Sequence, residues 1–183
     1  MRNILRRLRW PVYVVDAWTL HDFYRELVKS PCEEIFYVTG VELGNVRVLS
    51  RMCALEYEKQ SPVYVSATRK SSVDALIEMA DHENRLHLVA HSHPGIGAFS
   101  TLPSGTDLAY LGKLQKAGAE AIALIVSRNG FLRFWTVSLP FKIVIRGNGI
   151  SEVKGHENVF RLEIPKTNRE QSREASRPAL LSL

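Results

Sequence analysis

Cysteine is scarce: Cys32 and Cys53 are the only two in 183 residues. Two thiols 21 residues apart build no disulfide framework, and free thiols without a secretory signal point to a reducing compartment, so cytoplasm is the expectation. Long apolar runs are absent too. None approaches the roughly 18 residues of a membrane span. Near the N-terminus Ile4, Leu5 and Leu8 are interrupted by arginines, so the apolar core of about 7–15 residues that a secretory signal needs is missing. Excess charge is missing from the middle of the chain. Arg2, Arg6, Arg7 and Arg9 put +4 on residues 2–9, and Lys166, Arg169, Arg173 and Arg177 against Glu170 and Glu174 put +2 on 166–183. Of the formal +5 this leaves −1 for residues 10–165. Nucleic-acid binding needs a basic face on the folded part, so neither nucleic acid nor membrane is an expected partner.

With 45% apolar residues, the chain has enough for a core, and its length suits one domain. The reading is a basic leader over 1–10, a domain over 11–165 and a disordered tail over 166–183, polar and nearly free of aromatics. Pro11–Val15 is β-branched and aromatic and reads as a first strand. Thr19 and Asp22 match a capping box, and Leu20, Phe23, Tyr24, Leu27 and Val28 follow at helical spacing up to Ser30-Pro31. Strands are predicted over Ile35–Thr39, broken by Gly40, then over Val46–Leu49, Met52–Leu55 and Val63–Val65, antiparallel and joined by short turns. Ser71 and Asp74 suggest a second cap, with Val73, Leu76, Ile77 and Ala80 as the helix stripe. After the apolar run Leu86–Ala90, residues 95–103 read as a loop. A third helix starts near Ser104 and stops near Gly118. Ala121–Val126 and Phe131–Val137 are joined by Asn129-Gly130, a strong hairpin signal. Phe141–Ile145 and Val159–Ile164 close the chain around a glycine-rich turn at Arg146–Gly149. Strands mixed with three helices predict an α/β domain, a mixed β-sheet flanked by helices.

Chemistry concentrates at His91-Ser92-His93-Pro94 and Ser104-Gly105-Thr106-Asp107. Residues i and i+2 of a strand share a face, so His91 and His93 can reach one metal ion. His87 shares that parity but lies further back and is the weaker candidate. Ser104-x-x-Asp107 matches a capping box, and an aspartate in the first helical turn can also bind metal. Two histidines and an aspartate make three ligands, and three protein ligands plus a water describe a catalytic rather than a structural zinc site. The water then needs a proton acceptor other than the ligands. Glu33 and Glu34, at the mouth of a strand, are the candidates.

These residues resemble the JAMM (JAB1/MPN/Mov34) metalloproteases, whose signature is an upstream glutamate, His-x-His-Pro, a loop, and Ser-x-x-Asp. The prokaryotic JAB-domain type is the nearest in pattern, since its helix likewise opens on Pro-Ser-x-x-Asp. The likeness covers roughly 11–145. In that family the glutamate stands seven residues before a glycine, which places the match on Glu33, seven before Gly40. The resemblance implies Zn2+ on His91, His93 and Asp107, Glu33 as general base, and Ser104 stabilising the oxyanion. It implies a three-layer fold shared with cytidine deaminases. It implies a peptidase or isopeptidase acting after the C-terminus of a ubiquitin-like protein, to deconjugate it or process its precursor. Family members of this kind occur beside ubiquitin-activating-like and conjugating-like proteins, some in anti-phage defence. Two departures stand out. The stretch from His93 to Ser104 is about three residues longer than in the family's eukaryotic deubiquitinases, and Phe36 replaces the small residue they carry three after the glutamate.

Three other classes compete. A non-catalytic scaffold or protein-binding module is the alternative, because some family members have lost their ligands, but here every ligand and the base are present. A zinc deaminase needs His-x-Glu and Pro-Cys-x-x-Cys, which this chain lacks. A cysteine protease built on Cys32 would set a thiol beside two carboxylates, a poor place for a thiolate.

Overall fold

A computed structural model describes residues 10–164. The predicted tail, and the leader apart from Trp10, lie outside the described residues. The elements run β1 (Val12–Asp16), α1 (Ala17–Leu27), β2 (Ile35–Leu43), β3 (Val46–Ala54), β4 (Tyr57–Ser61), β5 (Tyr64–Ala67) and α2 (Arg69–Asp81). Then come β6 (Leu88–His93), a 3-10 turn (Ala98–Thr101), α3 (Gly105–Lys116), β7 (Ile122–Ser127), β8 (Phe131–Trp135), β9 (Lys142–Arg146), β10 (Ile150–Glu152) and β11 (Val159–Leu162). Nine strands form one sheet in the order β10-β11-β8-β7-β6-β2-β3-β1-β9, while β4 and β5 make a hairpin of their own. The sheet is mixed. β6 runs parallel to β7, and β1 runs parallel to β3 and β9. Antiparallel pairs join the remaining neighbours.

Strand alternation sorts the core into two faces. Leu88 and Ala90 of β6 and Ile122, Leu124 and Val126 of β7 pack with Leu20, Phe23 and Leu27 of α1. On the other face Val89 meets Ala75 and Met79 of α2 and Tyr110 and Leu114 of α3, and Leu111 of α3 covers Ala123, Ile125 and Trp135. The central strands are covered on both sides, which is why residues 88–90 of β6 and 122–126 of β7 are apolar without a break. The result is three layers, with a mixed sheet between α1 and the α2–α3 side, in agreement with the expected fold class. No helix among the described residues is long and apolar enough to cross a membrane.

Several local expectations need correction. The helix α1 starts at Ala17 directly out of β1, with Asp16 at its N-cap and no side-chain cap bond, so Thr19 and Asp22 lie inside it. The second helix is capped by Thr68, whose hydroxyl accepts from the Ser71 N–H, three residues earlier than predicted. The two strands predicted over Val46–Leu49 and Met52–Leu55 are one, β3. Thr39 faces Arg51 while Gly40 faces Leu49, so Ser50 is an extra residue in a bulge. The polar pair Ser50-Arg51 looks like a turn in sequence because a bulge interrupts alternation as a turn does. Gly40 does not end β2 but sits at the bulge, where a Cβ would run into the Val48 carbonyl oxygen. The strands β4, paired with β5, and β10, paired with β11, have no counterpart among the expected elements.

Candidate metal centre

The site forms where β6 ends and α3 begins. Alternation along β6 points His91 and His93 to the α3 face and Ser92 to the α1 face. Ser92 is fully buried. Its Oγ accepts from the Glu34 N–H at 3.0 Å, and its own N–H donates to the Glu34 carbonyl at 3.0 Å, tying the end of β6 to the start of β2. The partner helix is fixed by a capping box. The Ser104 Oγ accepts from the Asp107 N–H at 3.3 Å, and Asp107 Oδ2 accepts from the Ser104 N–H at 2.6 Å. Capping therefore aims the Asp107 carboxylate beyond the helix end, towards the histidines.

Two imidazole nitrogens and a carboxylate meet there. The Nε2 atoms of His91 and His93 are 3.1 Å apart. Asp107 Oδ1 lies 3.2 Å from His91 Nε2, and Oδ2 lies 3.5 Å from His93 Nε2. Donors about 2.0–2.1 Å from a tetrahedral zinc stand about 3.3 Å from one another; the spacings between the two histidine nitrogens and from each of them to its nearer carboxylate oxygen are close to that edge. The group can hold a metal ion, and it is one in which each residue offers a ligand atom within 4.8 Å of the others. The His93 Nδ1–H donates to the Ser100 carbonyl at 2.8 Å, which assigns the tautomer and leaves Nε2 free to ligate.

That carbonyl is held in place by a braced segment, although residues 95–103 read as a plain loop. The Gly97 N–H donates to Asn129 Oδ1 at 2.7 Å, Arg133 Nε donates to Thr101 Oγ1 at 3.2 Å, and the Arg128 N–H donates to the Gly95 carbonyl at 3.0 Å. Gly97 has φ 85°, a left-handed conformation that suits glycine. The short 3-10 turn lacks helical periodicity, so sequence offers no signal for it beyond the glycines that flank it.

Electrostatics in the metal-free protein favour the cluster. Burial pushes the Asp107 carboxyl up, but hydrogen bonds from His91 and His93 overcome it and hold the group well below the usual carboxylate range. Burial lowers the proton affinity of His93, and its bonds to Asp107 and Ser100 more than reverse this, so the net shift is upward. A metal ion must displace that proton, so metal affinity falls in acid.

Glu33 and Ser104 line the same cavity as His91, His93 and Asp107, a space of about 580 Å3. Glu33 is 8% exposed. Burial pushes its carboxyl up to about 7, with His93 opposing and Asp107 adding to the rise. Glu34 is turned away. Tyr57 donates its hydroxyl to Oε2 and Gln60 Nε2 donates to Oε1 at 3.1 Å, so this buried carboxylate anchors β4 rather than facing the cavity. His87 is also absent from the cluster. It lines a separate cavity with Arg47 and Glu120, and burial and Arg47 lower its proton affinity. Cys32 and Cys53 are both free.

The cavity runs from the ligands along a groove. Ile35, Val89 and Ala123 form its floor, Tyr110 of α3 stands on one side, and β5 forms the other. Tyr57 and Gln60, which fasten the hairpin to Glu34, had no signal in the sequence because their partners lie 23 and 26 residues away.

No family model and no curated protein matches the chain in sequence. Solved structures do resemble it. A protein of Desulfitobacterium hafniense, known in solution, matches with a TM-score of 0.53 at 18% identity, over 74% of this chain and 94% of its own. The shared feature is the fold. A JAB1/MPN domain protein from Archaeoglobus fulgidus matches with a TM-score of 0.45 at 15% identity, over 71% of this chain and 97% of its own. The roles of individual residues rest on the site's own geometry.

Proposed function

We propose that the chain is a zinc-dependent peptidase or isopeptidase of the JAMM type, cleaving after the C-terminus of a ubiquitin-like protein. The observation that carries this reading is the convergence of the His91 and His93 Nε2 atoms, 3.1 Å apart, on the Asp107 carboxylate, whose two oxygens lie 3.2 and 3.5 Å from them, at the head of a cavity shared with Glu33. A zinc ion held there would polarise the scissile carbonyl and make a water acidic enough to attack it near neutral pH. Glu33 takes the water's proton and returns it to the leaving amine. Burial raises the proton affinity of Glu33 in the metal-free protein, and the charge of a bound ion would oppose that rise. The Ser104 Oγ accepts from the Asp107 N–H, and its O–H, which in the metal-free protein helps to stabilise the Asp107 carboxylate, would turn to donate to the carbonyl oxygen as charge builds there.

The groove supports an extended substrate. β5 pairs with β4 alone, and residues 63–67 line the cavity. A C-terminal tail laid along that free edge adds a third strand and brings its last carbonyl to the ligands. The test uses a panel of ubiquitin-like proteins fused through their C-termini to a reporter peptide. The zinc-loaded protein is expected to release the reporter from at least one of them, and Glu33→Gln is expected to keep zinc and release none. A zinc-loaded wild type that cleaves no fusion, yet retains one in a pull-down, would favour the binding-module reading instead.

A further inference from the structure

Glu33 follows directly on a segment with few hydrogen bonds of its own: the Ser30 Oγ accepts from the Cys32 N–H at 3.2 Å and stands 3.3 Å from the Cys32 carbonyl oxygen, to which its O–H can donate. Pro31 bars the continuation of α1, and the turn from Val28 to Cys32 leaves carbonyls to which no helix or sheet N–H donates. One side chain from a distant element satisfies three of them. Arg128, in the turn between β7 and β8, donates from Nη1 to the Val28 carbonyl at 3.2 Å and to the Ser30 carbonyl, and from Nη2 to the Cys32 carbonyl at 2.8 Å. Its backbone is tied as well. Its N–H donates to the Gly95 carbonyl at 3.0 Å, and its own carbonyl accepts from the Tyr24 hydroxyl at 2.8 Å. The residue therefore touches the segment that ends at Glu33, the stretch that follows His93-Pro94, and α1.

We propose that Arg128 is a positioning residue for Glu33: its guanidinium clamps the 28–32 turn so that the carboxylate is presented to the metal cavity. The inference rests on the reading of Glu33 as the general base. A planar fork with five donors suits three carbonyls spread over five residues, and a lysine ammonium, a single point of charge, reaches fewer of them at once. The cation also sits at the C-terminal end of α1, where carbonyl dipoles favour positive charge. On its far side the segment is held by the Glu33 N–H donating to the Ser61 carbonyl at 2.9 Å and by Gln60 Nε2 donating to the Glu33 carbonyl at 3.0 Å. Glu33 is thus gripped between the hairpin and Arg128. Removing the guanidinium frees one side and leaves the metal ligands' own bonds intact.

Three measurements on Arg128→Gln and Arg128→Lys test this. The first is hydrogen–deuterium exchange over residues 28–35, which Arg128→Gln is expected to speed at least tenfold while β6 and β7 stay protected. The second is the visible spectrum of the cobalt-substituted protein, which is expected to be unchanged in both variants because His91, His93 and Asp107 keep their places. The third is kinetics on the fusion the wild type cleaves best. A base displaced by about 1 Å lowers kcat about a hundredfold, with KM within about twofold, and Arg128→Lys restores part of the loss. Unchanged exchange in Arg128→Gln overturns the proposal. So does a lost cobalt spectrum, or a KM that rises while kcat holds. If the zinc-loaded wild type cleaves no fusion, the functional reading fails while exchange and spectrum still decide whether Arg128 holds the turn.

Discussion

Glu33→Gln should stabilise the metal-free protein, and the gain should grow with pH. Unfolded, the Glu33 carboxyl titrates near 4.5; folded, burial pushes it up to about 7. Below the lower value the group is neutral in both states and has no effect. Between the two, the unfolded chain releases its proton and the folded one keeps it, so stability falls as pH rises towards the folded value. Above it the folded protein carries a buried anion. At about 1.4 kcal/mol for each tenfold change in proton affinity, the gap between the two values is worth about 3 kcal/mol. Part of that loss has already occurred at pH 5, so glutamine should stabilise by about 2 kcal/mol more at pH 8 than at pH 5. The assay is urea unfolding of chelator-treated wild type and variant at both pH values. Equal differences at the two pH values, or a variant less stable at pH 8, would refute the idea that burial raises the proton affinity of Glu33.

Three further outcomes are expected. Gly40→Ala should lower stability by about 2–3 kcal/mol in urea unfolding, because the added Cβ meets the Val48 carbonyl at the bulge and the backbone must shift. Tyr57→Phe removes the hydroxyl from the buried Glu34 carboxylate and should cost about 2 kcal/mol of stability, while zinc content by elemental mass spectrometry stays at the wild-type level. Ser104→Ala should keep zinc, lose about 1 kcal/mol through the cap and lower kcat about a hundredfold on a cleaved fusion through the missing donor.

The parts of the molecule that could be read from sequence were those in which local chemistry and tertiary role coincide. Ser104 and Asp107 match a capping box and form one, and the same box aims Asp107 at the histidines. His91 and His93 share a face because a strand has a period of two. Asn129-Gly130 marks a turn and makes one, with Gly130 at φ 84°. Sequence and structure part where the surroundings decide. Thr19 and Ser71 carry cap chemistry but lie inside helices whose starts are set upstream, by β1 running straight into α1 and by Thr68 reaching the Ser71 N–H. Ser50-Arg51 breaks alternation as a turn would, yet a bulge absorbs the break within one long strand. The choice between Glu33 and Glu34 could not be made from the two residues themselves, because it depends on Tyr57 and Gln60 occupying the second carboxylate. Arg128 gave no sequence signal at all: the carbonyls it binds lie about a hundred positions away.

The measurement that bears most directly on the central claim is the metal content of the purified protein, by elemental mass spectrometry without chelator, for wild type beside a His91→Ala/His93→Ala double variant. The geometry predicts close to one zinc per wild-type chain and none in the variant. No zinc in either protein after incubation with the ion, or equal zinc in both, would contradict a metal centre built from His91, His93 and Asp107.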